Sequence, residues 1–385
     1  IASGDSNDTV YGGGGNDAIF GNQGNDLIRG GAGADTITGG AGADNLNGGD
    51  GNDVFIIAAA ADHGGAETIT GGLGHDTIRF TSTTANETLT LAAGVTDVDN
   101  VITVAISNEA GSSTGNTALN VTAAALLGTL RVNLEGNNGA NALTGTANAD
   151  TIQGFIGNDI IVGGGGADSL DGGMGDDSFI FANSDELMAA ASVFGNVHQD
   201  TITVTAQITA AVHLGTDANI SSVENLVLAG GSTAAVTLDA RMTSVTLGAA
   251  GSVVLTTAGQ DVTGSTGADI VNTGSLTSFA NTVLALGAGT DVLVVAMNNS
   301  DLSGINSGAA TRAETLIISG LANTRMTTAQ HAGFNTITAT GTGAAAETII
   351  LSGNGAVTTF TAIENYSIGD DTVSYTHLTL PTNRE

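Results

Sequence analysis

Large apolar residues return every nine positions near the start of the chain. Val10, Ile19, Ile28, Ile37, Leu46 and Phe55 are each set among glycine and polar residues, and the spacing returns at Leu143, Ile152, Ile161, Leu170 and Phe179. This pattern predicts short strands that each give one central side chain to a thin core. The full phrase is G-G-x-G-x-D-x-U-x, where U is a large aliphatic residue or Phe. Copies run through Gly12–Phe20, Gly21–Arg29, Gly30–Thr38, Gly39–Asn47 and Gly48–Ile56, and again from Gly136 to Ile180. A degenerate copy, Ser3–Tyr11, precedes the first block, and a divergent one, Gly71–Arg79, trails it. Such a period predicts a stacked solenoid. Two copies make one turn, with one strand on each side, so equivalent residues recur every 18 positions, about 4.8 Å apart. One side then stacks Val10, Ile28 and Leu46, and the other Ile19, Ile37 and Phe55. Glycines in the first half of each copy permit a turn through positive φ.

Both blocks end on Phe, at Phe55 and Phe179, and change texture at Ala58–Ala61 and Ser184–Met188. These changes read as caps that close the stacks, because terminal repeats of solenoids are atypical. Elsewhere short alternating runs dominate, among them Glu87–Leu91, Val101–Val104, Leu226–Leu228, Ala235–Leu238, Val245–Leu247, Val253–Leu255 and Thr348–Leu351. They read as strands punctuated by Gly and Asn turns. An acid-Asn pair between apolar residues recurs at Asp99-Asn100, Glu224-Asn225 and Glu364-Asn365, and reads as an asparagine ladder or a turn. Val121–Gly128 and Met326–Gly333 each read as one Thr-capped, Gly-stopped helical turn. The fold expected is all-β: parallel β-roll blocks within a longer right-handed β-helix or β-solenoid, with short helical caps. Its expected divisions are 1–80, a first roll with its cap; 81–135, a spacer; 136–182, a second roll; 183–371, a Thr/Val/Ala-rich solenoid with degenerate repeats; and 372–385. The last segment breaks the texture, carries the chain's one proline, Pro381, and resembles translated sequencing-adapter sequence. It is set aside as non-native.

The sixth position of each copy supplies a carboxylate. These are Asp8, Asp17, Asp26, Asp35, Asp44 and Asp53 in the first block, with Asp76 in the trailing copy. The second block has Asp150, Asp159, Asp168 and Asp177, with Asn141 in its first copy. Acids 18 apart meet across neighbouring turns, where one calcium ion would touch oxygens of both at about 2.3–2.6 Å. Carbonyls of the glycine turns would complete each shell. Magnesium, which prefers compact octahedra and keeps its waters, suits the arrangement less. No Cys/His cluster offers a zinc site. Asp269, in the isolated Gly264–Val271, reads as a relic of the same phrase.

The charge balance agrees. There are 38 acids against seven basic residues, for a net charge of −31. Such a chain repels nucleic acid and anionic membranes. Cysteine is absent, so there is no disulfide framework, and no apolar run is long enough to span a membrane. Ile1 opens inside a repeat array, which reads as the start of a fragment.

The nonapeptides resemble the RTX (hemolysin-type) calcium-binding repeats of proteins secreted by Gram-negative bacteria. The resemblance covers about a third of the chain. It implies a parallel β-roll, type I secretion, and folding triggered by external calcium. The Thr/Ala/Val-rich remainder resembles bacterial surface-layer proteins and large type I-secreted adhesins. Its implied partners, beside calcium, are further copies of the chain in a lattice or fibre, or a cell-surface glycan.

Catalysis finds little support. His63, His75, His198, His213, His331 and His377 stand apart, none in H-E-x-x-H. Gly111–Gly115 fits G-x-S-x-G around Ser113 but lacks the flanking strand and helix of a nucleophile elbow. Two readings remain. One is an extracellular calcium-binding structural protein. The other is the calcium-dependent secretion and folding tail of an enzyme whose catalytic domain precedes Ile1.

Overall fold

A computed structural model describes residues 1–64, 66–91, 93–97, 99–108, 110–214, 219–297, 300–306, 313–318, 323–339, 348–352, 355–357, 365–368 and 373–375. They are all-β, with parallel strands wound as β-solenoid of about 14 turns in all and very little helix. The chain divides into two compact units, Ile1–Thr203 with Ala218–Val223, and Val204–Asp217 with Glu224–Glu385.

The first unit is built as the nine-residue period dictates. Strands Thr9–Gly14, Leu27–Ala32, Asn45–Asp50, Thr68–Leu73 and Val95–Thr96 form one parallel sheet. The alternate strands, from Ala18–Gln23 through Thr36–Ala41 and Val54–Ile57, form another. Val10 pairs with Ile28, Ile28 with Leu46, Ile19 with Ile37, and Ile37 with Phe55. These are the two expected core columns, and the side chains from Ile19 to Phe55 are essentially fully buried. The columns then extend, Leu46 to Ile69 to Val95 and Phe55 to Ile78 to Val104. In the second block Val121, Leu143, Ile161 and Phe179 form one ladder, and Leu134, Ile152, Leu170 and Val193 another. Single apolar residues suffice because each lies between apolar neighbours one strand spacing above and below, a close-packed ladder.

The two changes of texture are not caps. Ala60–Asp62 is a 3-10 turn, and Ser184–Ala189 is an α-helix whose N-cap Asn183 accepts from the Glu186 N–H at 2.9 Å. Strand pairing resumes beyond each, Val54 with Thr77 and Ser169 with Ser192. Five extra residues lengthen that turn from 18 to 23, and the ladder resumes in register beyond them. The expected divisions at 80, 135 and 182 all fall inside this unit, and one sheet runs from Ala18–Gln23 through the spacer strands Val101–Ile106 and Arg131–Glu135 to Ile220–Ser221.

The second unit keeps parallel pairing with less regular turns. Val236, Val253, Val271, Leu293, Leu316 and Ile337 form one buried ladder. Val121–Gly128 is not a helical turn: Val121 and Thr122 belong to the strand Asn120–Thr122, where the Val121 side chain fills the core ladder. Met326–Gly333 does contain one, the helix Thr328–Gly333, begun by the Thr327 hydroxyl, which accepts from the Gln330 N–H at 3.1 Å. Asn100 turns the chain through φ 56°, whereas Asn225 and Asn365 open strands; Glu364 lies outside the described residues. In the segment set aside as non-native, Val373–Tyr375 pairs in parallel with Gly355–Val357, and 376–385 lie outside the described residues.

Candidate metal centre

The acids at position six do line up in columns, and the backbone explains why. Each Asp stands just before its strand, and its Oδ1 accepts the backbone N–H of the equivalent residue one turn earlier. Asp8 N–H donates to Asp26 (2.7 Å), Asp17 to Asp35 (2.8 Å), Asp26 to Asp44 (2.8 Å) and Asp35 to Asp53 (2.8 Å). Asp53 donates in turn to Asp76 (2.8 Å), so the divergent copy continues that column. In the second block Asn141 donates to Asp159 (2.7 Å), Asp150 to Asp168 (2.9 Å) and Asp159 to Asp177 (2.8 Å). Asp8 and Asp17 are half-buried, and the other predicted site residues are nearly inaccessible.

Sequence reasoning missed four acids at these edges. Glu67 precedes Thr68, which pairs with Asn45, so it takes the place after Asp44. Asp200 accepts from Asp177 N–H at 2.8 Å, and Asp291 from Asp269 N–H at 2.9 Å. Asp97 faces Asp76. The signal for Glu67 and Asp200 was a spacing of 23 in place of 18, readable once the five-residue excursions are recognised. Asp291 sits in Leu286–Val294, a degenerate nonapeptide. A second, outer ladder was also missed. Position-five asparagines accept from the N–H one turn later, as in Asn7 with Asn25 (2.8 Å), Asn16 with Ala34 (2.9 Å) and Asn52 with His75 (3.0 Å).

The other oxygen of most of these acids divides the turns into two kinds. Where position two is left-handed, as at Gly13 (φ 103°), Asn22 (φ 74°) and Gly31 (φ 117°), its N–H makes no hydrogen bond to the acid's Oδ2. Oδ2 is then buried with no hydrogen-bond partner at Asp17, Asp26, Asp35, Asp44, Asp53, Asp76, Asp159, Asp177 and Asp291. Where position two is not left-handed, its own N–H closes on the acid four residues on. Gly4 donates to Asp8 (2.9 Å), Thr146 to Asp150 (2.5 Å) and Ser265 to Asp269 (2.7 Å), and the hydroxyls of Thr146 and Ser265 donate as well. Asn141 goes further: it accepts from Asn137 N–H, and its amide nitrogen donates to the Leu119 carbonyl at 2.7 Å. These turns satisfy themselves. Thr146→Val removes the hydroxyl beneath the buried Asp150 and is expected to cost about 1–3 kcal/mol. Urea denaturation of the calcium-loaded protein measures this, and an unchanged midpoint would show that the hydroxyl bond carries no stability.

A glycine five residues before each of Asp17, Asp26, Asp35, Asp44, Asp53 and Asp76, and of Asp150, Asp159, Asp168 and Asp177, completes the cradle. A Cβ on Gly30 would strike both Asp35 Oδ2 and the Gly48 carbonyl oxygen one turn on. The same holds at Gly48 for Asp53 and the Gly71 carbonyl, and at Gly154 for Asp159 and the Gly172 carbonyl. Carboxylate and carbonyl oxygens from successive turns therefore converge beside a backbone that has no side chain. Among the described residues no three His, Cys, Asp or Glu side chains gather at one point, so backbone carbonyls must make up the oxygen set. An all-oxygen set with buried, unpartnered carboxylate oxygens fits calcium.

Burial raises these acids. Asp177 is held up at about 7, and Asp159 and Asp168 at about 6, chiefly by burial and in part offset by the backbone N–H each accepts. Asp97 also rises to about 6, from burial and the neighbouring charges of Asp76 and Asp99. Asp44, Asp53 and Asp76 are raised for the same first reason. With seven basic residues in the whole chain, the protein cannot neutralise such columns itself.

Stacked parallel turns with an oxygen-lined edge define a calcium-binding β-roll. RTX calcium-binding nonapeptide repeats (four copies) match residues 1–28, 20–55, 63–79, 135–170 and 153–183. These segments are therefore RTX hemolysin-type repeats, which bind calcium and occur in proteins that are typically secreted. No curated protein matches the chain. Among the described residues no helix is long and apolar enough to cross a membrane.

Proposed function

We propose that this is an extracellular calcium-binding structural protein, a surface-layer, matrix or adhesin module whose folding and assembly depend on calcium. One observation carries the proposal: columns of buried carboxylate oxygens without partners, Asp17 with Asp35 and Asp53, Asp26 with Asp44, and Asp159 with Asp177. These are the ligands we assign, with the glycine carbonyls beside them. Calcium supplies the positive charge that the chain lacks.

Support for a structural role comes from the extent of the coil. Parallel ladders of Val, Leu and Ile continue through the second unit, where no repeat matches. Ser113 offers no counterweight, since Gly111–Gly115 lies in an irregular stretch between the strands Val101–Ile106 and Asn120–Thr122. Electron microscopy of the purified chain with and without millimolar calcium tests assembly. Ordered lattices or fibres are expected with calcium. Particles that stay monomeric at every calcium concentration would remove the assembly role and leave calcium-dependent folding.

A further inference from the structure

The last turn of the first block departs from the others at one point. The register Ile69 with Val95 and Thr70 with Thr96 sets residue 97 opposite Gly71. In the turns before it, the oxygen that faces an acid's Oδ2 beside the glycine is the carbonyl of the equivalent glycine one turn on. At Gly71 the oxygen is the side-chain Oδ2 of Asp97. A Cβ on Gly71 would strike both Asp76 Oδ2 and Asp97 Oδ2.

Asp76 is 1 % exposed and Asp97 9 %. Each is fixed through its Oδ1, which accepts from Asp53 N–H (2.8 Å) and from Asp99 N–H (3.0 Å) respectively. Each presents an Oδ2 that is buried and has no hydrogen-bond donor. Two immobilised carboxylate oxygens facing one gap repel unless a cation or a shared proton lies between them.

We propose that Asp97 is a calcium ligand that closes the ion column of the first block, holding the terminal ion together with Asp76. The inference rests on the calcium reading of the block and goes beyond it, because the repeat match ends at residue 79 and Asp97 lies outside it. A full carboxylate charge replaces a carbonyl dipole, so this site binds more tightly than its carbonyl-closed neighbours. It also ties the repeat block to the turn that carries Val95–Thr96 and Val101–Ile106.

The test counts calcium bound to the full chain by equilibrium dialysis. Asp97→Asn is expected to bind one ion fewer than wild type, or to bind its tightest ion at least tenfold more weakly. Asp99→Asn, which removes an exposed charge next door, is expected to match wild type. Should Asp97→Asn fail to fold even in high calcium, Asp97→Glu decides: it keeps the charge and is expected to restore the wild-type count. Unchanged stoichiometry and affinity in Asp97→Asn overturns the proposal, as it would if the two carboxyls share a proton. So does a Glu variant that folds with one ion too few. Wild type binding several ions while Asp97→Asn is unaltered sinks this inference alone, whereas wild type binding none sinks the calcium reading with it.

Discussion

Removing calcium is expected to unfold the repeat blocks of this protein, and restoring it to refold them. The reason is the burial of carboxylates without donors. At about 4 Å, two like charges repel by about 1 kcal/mol in water and about 4 kcal/mol at an effective dielectric of 20. Columns such as Asp17, Asp35 and Asp53 repeat that cost at each turn. The nonapeptides contribute one core side chain each, so little apolar burial stands against it. Binding to the folded state alone contributes about 2.7 kcal/mol per site at a hundred times the dissociation constant. Five such sites would supply more than about 10 kcal/mol, as much as the entire stability of many domains. Circular dichroism across a chelator titration checks this. The strand signal is expected to collapse over a narrow range of free calcium, with magnesium a poor substitute, and a signal that persists in excess chelator would falsify it. The turns closed by Gly4, Thr146 and Ser265 are expected to depend on the ion least, because their carboxylates already have donors.

Acid is expected to do part of calcium's work. Asp177 at about 7 and Asp97, Asp159 and Asp168 at about 6 all lie above the ordinary aspartate value near 3.9. A carboxyl whose proton is held more tightly in the folded chain stabilises that chain below the unfolded value. It loses this contribution as pH rises through the folded one. In chelator, stability should therefore be greatest below about pH 4–5 and fall progressively up to about pH 7. A tenfold change in proton affinity is about 1.4 kcal/mol. Four such groups favour the folded metal-free chain at pH 5 over pH 8 by roughly 4 kcal/mol or more. With calcium present the sign reverses, because protons compete with the ion for the same oxygens. Circular dichroism in EDTA at pH 5, 6, 7 and 8 reads the first effect: strand signal is expected to return toward acid, and a metal-free protein that gains strand as pH rises would contradict it.

The candidate site was legible where the period is strict. An Asp at every ninth residue beside a Gly-rich turn leaves one arrangement in which apolar residues stack and the chain closes, so Asp26, Asp35, Asp44 and Asp159 could be placed from spacing alone. The excursions at Ala60–Asp62 and Ser184–Ala189 hid Glu67 and Asp200. A local change of composition looks the same whether a stack ends or bulges; only strand pairing beyond it, Phe55 with Ile78 and Leu170 with Val193, distinguishes the two. Val121–Gly128 failed for a related reason. Its Ala-rich stretch has helical propensity, but the ladder to Leu89 and Leu143 offers Val121 full burial and overrides it.

What the chain's order of residues determined by itself was the coil, its core columns and the edge on which the acids gather. All three follow from a fixed period acting on neighbours one turn apart. What only the folded arrangement decided was the state of each acid's second oxygen. That depends on whether the residue four positions earlier turns left-handed or offers its N–H, and on which residue an irregular turn carries into register, as Asp97 is carried opposite Gly71. Backbone dihedrals and long-range register are set by packing across turns, and no single nonapeptide contains that information.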